Sequence, residues 1–383
     1  MARIPLAWLQ LTHEKARLAA ALAGIAFAVI LMLIQLGLVA ALFDAAVLLY
    51  QQFRADLVIV SPQFEYIVQT KSFPRQRLYQ VRVVEGVEAV TPVYVSLGAW
   101  KDPVEHTENS LLIMGFDPRS HAFTLPGLEA GLRQIELPDV VLFDVASHPT
   151  FGPVDALFRE QSPLFTEINR RRVRIGGVFR LGIGFGAIGN VLTSDLNFLR
   201  LFPNRSQDMI DIGLIQLKAG ADAERVRTRM VDLLPDDVRV MTRSEFMEAE
   251  QNFWNTISPI GFIFGMGVAM GFIVGAVIVY QILYTDVSDH LAEYATLKAV
   301  GYGDRFLFSI VLKEALLLAV LGYVPGLIIS QGLYVLSAQA TGLPIAMSLQ
   351  RVAIVFVFTL VMCAAAGALA MRRIRSADPA EIF

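Results

Sequence analysis

Four long apolar stretches dominate the pattern of the chain. They cover residues 18–43, 257–283, 306–336 and 350–371. A helix needs about 20 apolar residues to cross the hydrocarbon core of a bilayer, and each stretch reaches that length. We therefore predict four membrane-spanning helices. The first is expected to be an uncleaved anchor, because the apolar region of a secretory signal is shorter. The third is expected to be interrupted at Gly322, Pro325 and Gly326.

A polar region, residues 44–256, separates the first two stretches. It carries 22 Lys/Arg and 27 Asp/Glu, whereas the other 170 residues carry 18 charges. Its pattern predicts strands at 57–60, 93–100, 110–116, 211–217 and 238–242, with helices at 75–84 and 222–234. These make two βαβ-like halves, which favour an α+β domain. An insertion from about 117 to 208 is expected to form a second subdomain, and residues 243–256 a stalk helix.

Basic residues at the ends of the apolar stretches predict the orientation. Arg3, Lys15 and Arg17 precede the first stretch, whereas Arg372, Arg373 and Arg375 follow the fourth. Loops rich in Lys and Arg stay on the cytosolic side, so both termini are expected in the cytosol and residues 44–256 in the periplasm of a bacterial inner membrane. Residues 1–17 have the spacing of an amphipathic helix lying on the inner membrane face; the alternative is the start of the first span.

The composition supports a membrane protein. Of 383 residues, 55% are hydrophobic and 17% charged, against about 25% charged in ordinary soluble proteins. The net charge of -3 shows no excess of basic residues of the kind that nucleic-acid-binding proteins carry. Cys363 is the single cysteine, which excludes an intramolecular disulfide and a multi-cysteine zinc site. The composition therefore argues against a disordered chain and a soluble enzyme.

Two patterns in the polar region could carry chemistry. The segment GFGAIG, residues 184–189, matches a dinucleotide-binding motif, but that motif needs a strand before it and a helix after it, so a glycine-rich loop is favoured. Asp117 with His121, and Asp144 with His148, stand four residues apart. Prolines interrupt both stretches, so a shared helix face is disfavoured, and we predict neither metal ligands nor catalytic residues.

Glycines in the second apolar stretch predict a close helix contact. They are Gly261, Gly265, Gly267, Gly271 and Gly275. Small residues four apart let membrane helices approach closely. The partner is expected to be either another helix of this chain or a second copy.

The loop between the second and third stretches is the most informative segment. Residues 288–300 predict one helix that ends at Gly301. Asp286, Asp289 and Glu293 would then share one face. Like charges at such spacing do not stabilise a helix, so the pattern indicates a docking face for a basic groove on a cytosolic partner; the alternative is a solvated polar face.

The motifs of this chain resemble those of one family. The segment EYATLKAVGYGDRFLFSIVLKEALLLAVLGYVPG, residues 293–326, resembles the signature of FtsX/MacB-type ABC transporter permeases, and the ending RRIRSADPAEIF is similar to theirs. Three further segments, residues 4–28, 71–80 and 137–144, are similar to the DevC permeases. The resemblance thus covers most of the chain.

That resemblance implies a non-catalytic permease subunit of a DevBCA-type tripartite exporter. Such permeases are homodimers served by a cytosolic DevA-like ABC ATPase, which binds the ATP and Mg, so no cofactor is expected in this chain. A periplasmic DevB-like adaptor, or membrane fusion protein, and an outer-membrane TolC-like channel would complete the path for a lipid, glycolipid or other envelope substrate. The alternative is a mechanotransmitter that activates a periplasmic hydrolase without cargo. A membrane enzyme with its catalytic cluster in residues 44–256 is a further alternative.

The resemblance also assigns residues to ATPase coupling. Glu293, Lys298, Gly301 and Glu314 match the family pattern, with Glu293 facing the ATPase and Gly301 ending the docking helix. His290 stands where many relatives carry Arg. With Asp286 and Asp289, these residues form the predicted coupling set.

Overall fold

The computed structural model describes residues 15–161, 163–257 and 259–376, which divide into two compact units. The membrane unit is drawn from Met1–Ala41, Pro259–Thr341 and Ile345–Phe383. The sheet unit comprises Leu42–Ser258 and Gly342–Pro344. The predicted interfacial helix of residues 1–17 lies almost wholly outside the described residues, as does the end of the predicted tail.

The first helix and the last four belong mainly to the membrane unit, and the elements between them belong to the sheet unit. In chain order, the helices are α1 (Lys15–Val47), α2 (Gln76–Val81), α3 (Leu128–Gly131), α4 (Val154–Glu160), α5 (Asp195–Leu201), α6 (Ala223–Leu233), α7 (Arg243–Ile257), α8 (Ile260–Asp289), α9 (Leu291–Ala299), α10 (Asp304–Thr341) and α11 (Leu349–Ser376). The strands are β1 (Leu57–Val60), β2 (Phe73–Pro74), β3 (Val87–Lys101), β4 (Glu108–Phe116), β5 (Val140–Asp144), β6 (Leu164–Ile168), β7 (Arg171–Phe179), β8 (Asn190–Ser194), β9 (Met209–Ile210), β10 (Ile212–Leu217) and β11 (Arg239–Thr242).

Four helices in the described part of the chain, α1, α8, α10 and α11, are long and apolar enough to cross a membrane. The prediction of four spans is therefore confirmed. Helix α10 runs without a break through Pro325, where the sequence suggested an interruption. Membrane helices tolerate an internal proline when neighbouring groups satisfy the freed backbone.

Glycines let α1 and α10 pack closely within the membrane unit. A Cβ added to Gly322 would lie 2.7 Å from Ile25 Cβ, and one added to Gly326 would lie 2.9 Å from Val29 Cβ and 3.0 Å from the Ala26 carbonyl oxygen. Two turns further on, the Tyr334 hydroxyl donates a hydrogen bond of 2.5 Å to the Leu33 carbonyl. Residues four apart on each helix therefore meet along several turns.

The sheet unit contains a nine-stranded mixed sheet in the order β11-β1-β10-β3-β4-β8-β5-β7-β6. Strand β1 runs antiparallel to both β10 and β11, and β10 runs antiparallel to β3. It follows that β1 is parallel to β3, and β10 to β11. The units β1–α2–β3 and β10–α6–β11 are thus two interleaved βαβ units, in agreement with the predicted halves.

The insertion between β4 and β9 extends this same sheet. Strand β8 joins the sheet by parallel pairing with β4, and β5, β7 and β6 follow in that order. Strand β6 also pairs antiparallel with the end of β3. Alternate residues bury opposite faces of the sheet, as the period of two in a strand requires. In β1, Val58 packs in one apolar cluster with Phe246 of α7, whereas Ile59 packs in the other with Leu78 of α2.

Candidate coupling site

The segment between α8 and α10 contains most of the predicted coupling residues. Helix α8 ends at Asp289 and helix α9 begins at Leu291, so the break falls at His290. The backbone N–H of His290 donates to the Asp286 carbonyl at 3.1 Å, and its ring Nδ1 lies 2.9 Å from the same oxygen. A second polar group thus approaches that carbonyl where the helix turns.

This break differs from the single helix expected over residues 288–300. Asp286 and Asp289 belong to the end of α8, whereas Glu293 lies in the first turn of α9. Asp286 is buried, and Asp289 and Glu293 are exposed. The three acids therefore do not form one continuous stripe.

Gly301 terminates α9. Its φ of +104° lies in the region that favours glycine. The Gly301 N–H donates to the Lys298 carbonyl at 3.0 Å, and the Tyr302 N–H donates to the Leu297 carbonyl at 3.1 Å. This pair of bonds is a Schellman motif. The Lys298 ammonium lies 3.6 Å from the Asp304 carboxylate, so Lys298 pairs within the loop itself.

On both sides of Gly301, the segment presents three exposed apolar side chains. Val300 is 72% exposed, Tyr302 45% and Phe306 41%, and the rings of Tyr302 and Phe306 stack at 4.6 Å. We call Glu293, Val300, Tyr302 and Phe306 the loop tip. The sequence analysis missed the apolar members, although apolar residues on both sides of two turn glycines were a signal. Clustered apolar exposure on a polar loop is typical of a protein interface.

A partly buried charged cluster lies at the other end of this segment, and Arg17 of α1 is a cation in it. The guanidinium donates to the Asp289 carboxylate at 2.6 Å and lies 3.6 Å from that of Asp286. His290 Nδ1 is 3.7 Å from the Asp286 carboxylate. Glu314 of α10 is 0% exposed, and its carboxylate interacts electrostatically with that of Asp286. The structure thus brings four predicted coupling residues together and places Glu314 in the interior.

The glycines of α8 divide between two environments. Cβ atoms added to Gly267, Gly271 and Gly275 would approach Gln35, Met32 and Ala28 of α1 at 2.6, 3.2 and 2.6 Å respectively. A Cβ on Gly265 would meet nothing within 4 Å. Gly261 lies in the first turn of α8. Within this chain, the glycine face of α8 therefore packs against α1 and, at Gly275, also against Met362 of α11.

Gly271→Leu is expected to destabilise the membrane unit, because Met32 and Leu31 of α1 already lie 3.2 and 3.3 Å from the added Cβ. The cost of overpacking is about 1–3 kcal/mol. Gly265→Leu is the matched control on the same helix. Thermal unfolding of both variants in detergent checks the prediction, and equal midpoints for the two would contradict it.

The other motifs from the sequence have structural roles in the sheet unit. The segment 184–189 is a loop with no helix following it directly. Asp144 is buried and accepts hydrogen bonds from the N–H groups of Leu181 and Gly182 and from the Asn190 amide. Among the described residues, no group of three or more His, Cys, Asp or Glu side chains could hold a metal ion.

A second buried carboxylate, Glu250 of α7, lies in the sheet unit. It is 1% exposed and accepts hydrogen bonds from the Tyr50 hydroxyl at 2.6 Å, the Ile67 N–H at 3.1 Å and the Trp254 indole N–H at 3.0 Å. Burial raises the pKa of Glu250 to about 7, although the three donors act to lower it. The sequence analysis did not single out this residue.

The membrane unit matches a known family. Residues 265–379, which begin in α8, match the model of the FtsX-like permease C-terminal family. The chain is also 24% identical over 311 residues to an uncharacterized ABC transporter permease, Rv0072, of Mycobacterium tuberculosis strain H37Rv, with 81% of this chain and 79% of the relative covered. The corresponding permease of strain CDC 1551 gives the same values.

Two solved structures are similar to about half of the chain. The periplasmic region of MacB from Actinobacillus actinomycetemcomitans is 14% identical, with a TM-score of 0.38, and covers 52% of this chain and 94% of its own. The extracellular domain of YknZ, a noncanonic ABC-type transporter from Gram-positive bacteria, is 14% identical, with a TM-score of 0.36. That match covers 49% of this chain and 99% of the YknZ domain. Because both scores are below 0.5, neither likeness supports a conclusion.

The four apolar helices and these matches make the chain similar to ABC transporter permeases, and residues 265–379 similar to the FtsX-like type.

Proposed function

We propose that this chain is the permease subunit of a tripartite exporter of DevBCA type. A separate cytosolic ATPase binds ATP and Mg, docks on the loop tip and moves the membrane helices. The sheet unit, in the periplasm, passes that movement to a DevB-like adaptor and a TolC-like channel. The substrate is a lipid, glycolipid or other envelope compound. Both termini lie in the cytosol.

The loop tip is the observation that carries this proposal. An exposed acid, Glu293, lies on α9, and exposed apolar side chains follow at Val300, Tyr302 and Phe306. Such a surface offers a basic, partly apolar groove both an ion pair and apolar burial. The segment also connects two membrane helices, α8 and α10, so a force on it reaches both.

A homodimer is part of the proposal. Helix α8 exposes Met266, Met270, Ile273, Val277 and Tyr280, which recur at alternating spacings of four and three. That spacing forms a single seam along a helix and suits packing against an identical helix.

Glu293→Arg is expected to weaken association with the ATPase at least tenfold, because the charge facing a basic groove is reversed. Since Glu293 is exposed, the fold and the thermal midpoint should not change. Quantitative co-purification with the tagged chain from its native membrane measures the effect. Glu248→Arg, a reversal at an exposed acid of α7, is the matched control. Full recovery of the ATPase with Glu293→Arg would refute the docking assignment.

Mass spectrometry of the same co-purified material tests the assembly. An ATPase with an adaptor and an outer-membrane channel supports the exporter, and a native mass of two chains supports the homodimer. A periplasmic hydrolase without an adaptor would favour the mechanotransmitter. Recovery of no ATPase would overturn the proposal.

A further inference from the structure

Glu314 is the most unusual polar residue in the membrane unit. It lies on α10, is 0% exposed, and neither carboxylate oxygen has a hydrogen-bond partner among atoms of the described residues. No ion pair to Glu314 occurs in that part of the chain either. An ionised carboxylate buried in this way costs several kcal/mol unless it is paired, and such a group usually becomes neutral instead.

Two cationic side chains of this segment lie against Asp286 and Asp289. The Arg17 guanidinium donates a hydrogen bond of 2.6 Å to the Asp289 carboxylate and lies 3.6 Å from the Asp286 carboxylate. His290 also lies against Asp286 rather than Glu314. On the same helices, Val287, Tyr294, Val311 and Met371 form a buried apolar cluster.

Asp286 is the one charged group that interacts directly with Glu314 in the described structure, and it has the same sign. Two carboxylates that share a buried site do not both ionise, and one of them keeps a proton. The Asp286 carboxylate already has the Arg17 guanidinium as an ion-pair partner, so Asp286 is the residue that stays ionised and accepts the hydrogen bond. Glu314 is the better carrier of the proton, because no hydrogen-bond donor among the described residues stabilises its ionised form.

We propose that Asp286 and Glu314 form a proton-binding site: Glu314 takes one proton from the aqueous phase and donates it as an O–H hydrogen bond to the Asp286 carboxylate. No other bond forms or breaks. The bound proton would connect α10 to the end of α8, and Arg17 would extend that connection to α1. This site goes beyond the proposed function and does not depend on any partner protein.

Infrared spectroscopy of the full-length chain in nanodiscs tests the site, because a protonated carboxyl group has a C=O stretch distinct from that of a carboxylate. The measurement uses the Glu250→Gln background at pH 8, so that Glu250 does not contribute. We expect a carboxylic C=O band that shifts in D2O and is lost on adding Glu314→Gln. Glu293→Gln, which changes an exposed acid, should leave the band unchanged. Absence of the band, or its survival in Glu314→Gln, would overturn the proposal.

Thermal unfolding distinguishes the proton from a rearranged ion pair. The amide N–H of Gln can replace the O–H donated to Asp286, so Glu314→Gln should keep or raise the midpoint. An equal loss of stability in Glu314→Gln, Arg17→Gln and the double variant would instead show an ionised Glu314 paired with Arg17.

Should Glu314→Gln not fold, Asp286→Asn tests the same pair. Loss of the carboxylate acceptor should then shift the C=O band, and an unshifted band would contradict the proposal.

Discussion

Gly326→Leu is expected to destabilise the membrane unit strongly. A Cβ at this position would lie 2.9 Å from both Cβ and Cγ1 of Val29 and 3.0 Å from the Ala26 carbonyl oxygen. Val29 is β-branched and stiff at χ1, and the Ala26 oxygen belongs to a helix backbone, so neither can move away cheaply. Helices α1 and α10 would have to separate.

The cost of Gly326→Leu should reach the upper part of the range for overpacking, about 3 kcal/mol. It exceeds the cost expected at Gly271, where the nearest atoms belong to a flexible Met32 and to Leu31 at 3.2–3.3 Å. The measurement is the thermal midpoint of the full-length chain in detergent, together with the yield of folded protein.

Gly332→Leu is the matched control, because it makes the same change on the same helix. A Cβ on Gly332 would meet nothing within 4 Å, so this variant should unfold at the wild-type midpoint. A normal midpoint for Gly326→Leu would mean that α1 and α10 do not pack as described. A large loss in Gly332→Leu would show a partner on that face.

The outline of the fold was predictable because it depends on local patterns. An uncharged apolar stretch of more than 20 residues predicts α1 whatever it packs against. The alternation of strand and helix at 211–242 likewise predicts β10–α6–β11. The break at His290 was missed because it depends on how one ring is placed against the Asp286 carbonyl, which a helical periodicity does not reveal.

The buried polar sites could not be predicted, because their members are far apart in the chain. Arg17 and Asp289 are separated by 272 residues, and Tyr50 and Glu250 by 200. No spacing in the sequence links such pairs. Glu314 was singled out by family resemblance alone, which gave no indication that it is fully buried beside Asp286.

Glu250→Gln is expected to remove one large contribution to the pH dependence of stability between pH 4.5 and 8. The pKa of Glu250 is about 7 in the folded chain, against an ordinary value of 4.5, because burial disfavours the charged form. The folded state therefore binds this proton more tightly than the unfolded state does. The stabilisation is fully present below pH 4.5, is lost as the pH rises to about 7, and does not return above that.

Each pKa unit corresponds to about 1.4 kcal/mol, so the wild type should lose about 3 kcal/mol more than Glu250→Gln over this range. Denaturant unfolding of the two full-length proteins across the pH range gives that difference directly, since all other titrating groups are common to both. Glu248→Gln, at an exposed position of α7, should keep the wild-type slope. Equal slopes for wild type and Glu250→Gln would mean that the carboxylate is solvated, and that Tyr50, Ile67 and Trp254 do not enclose it.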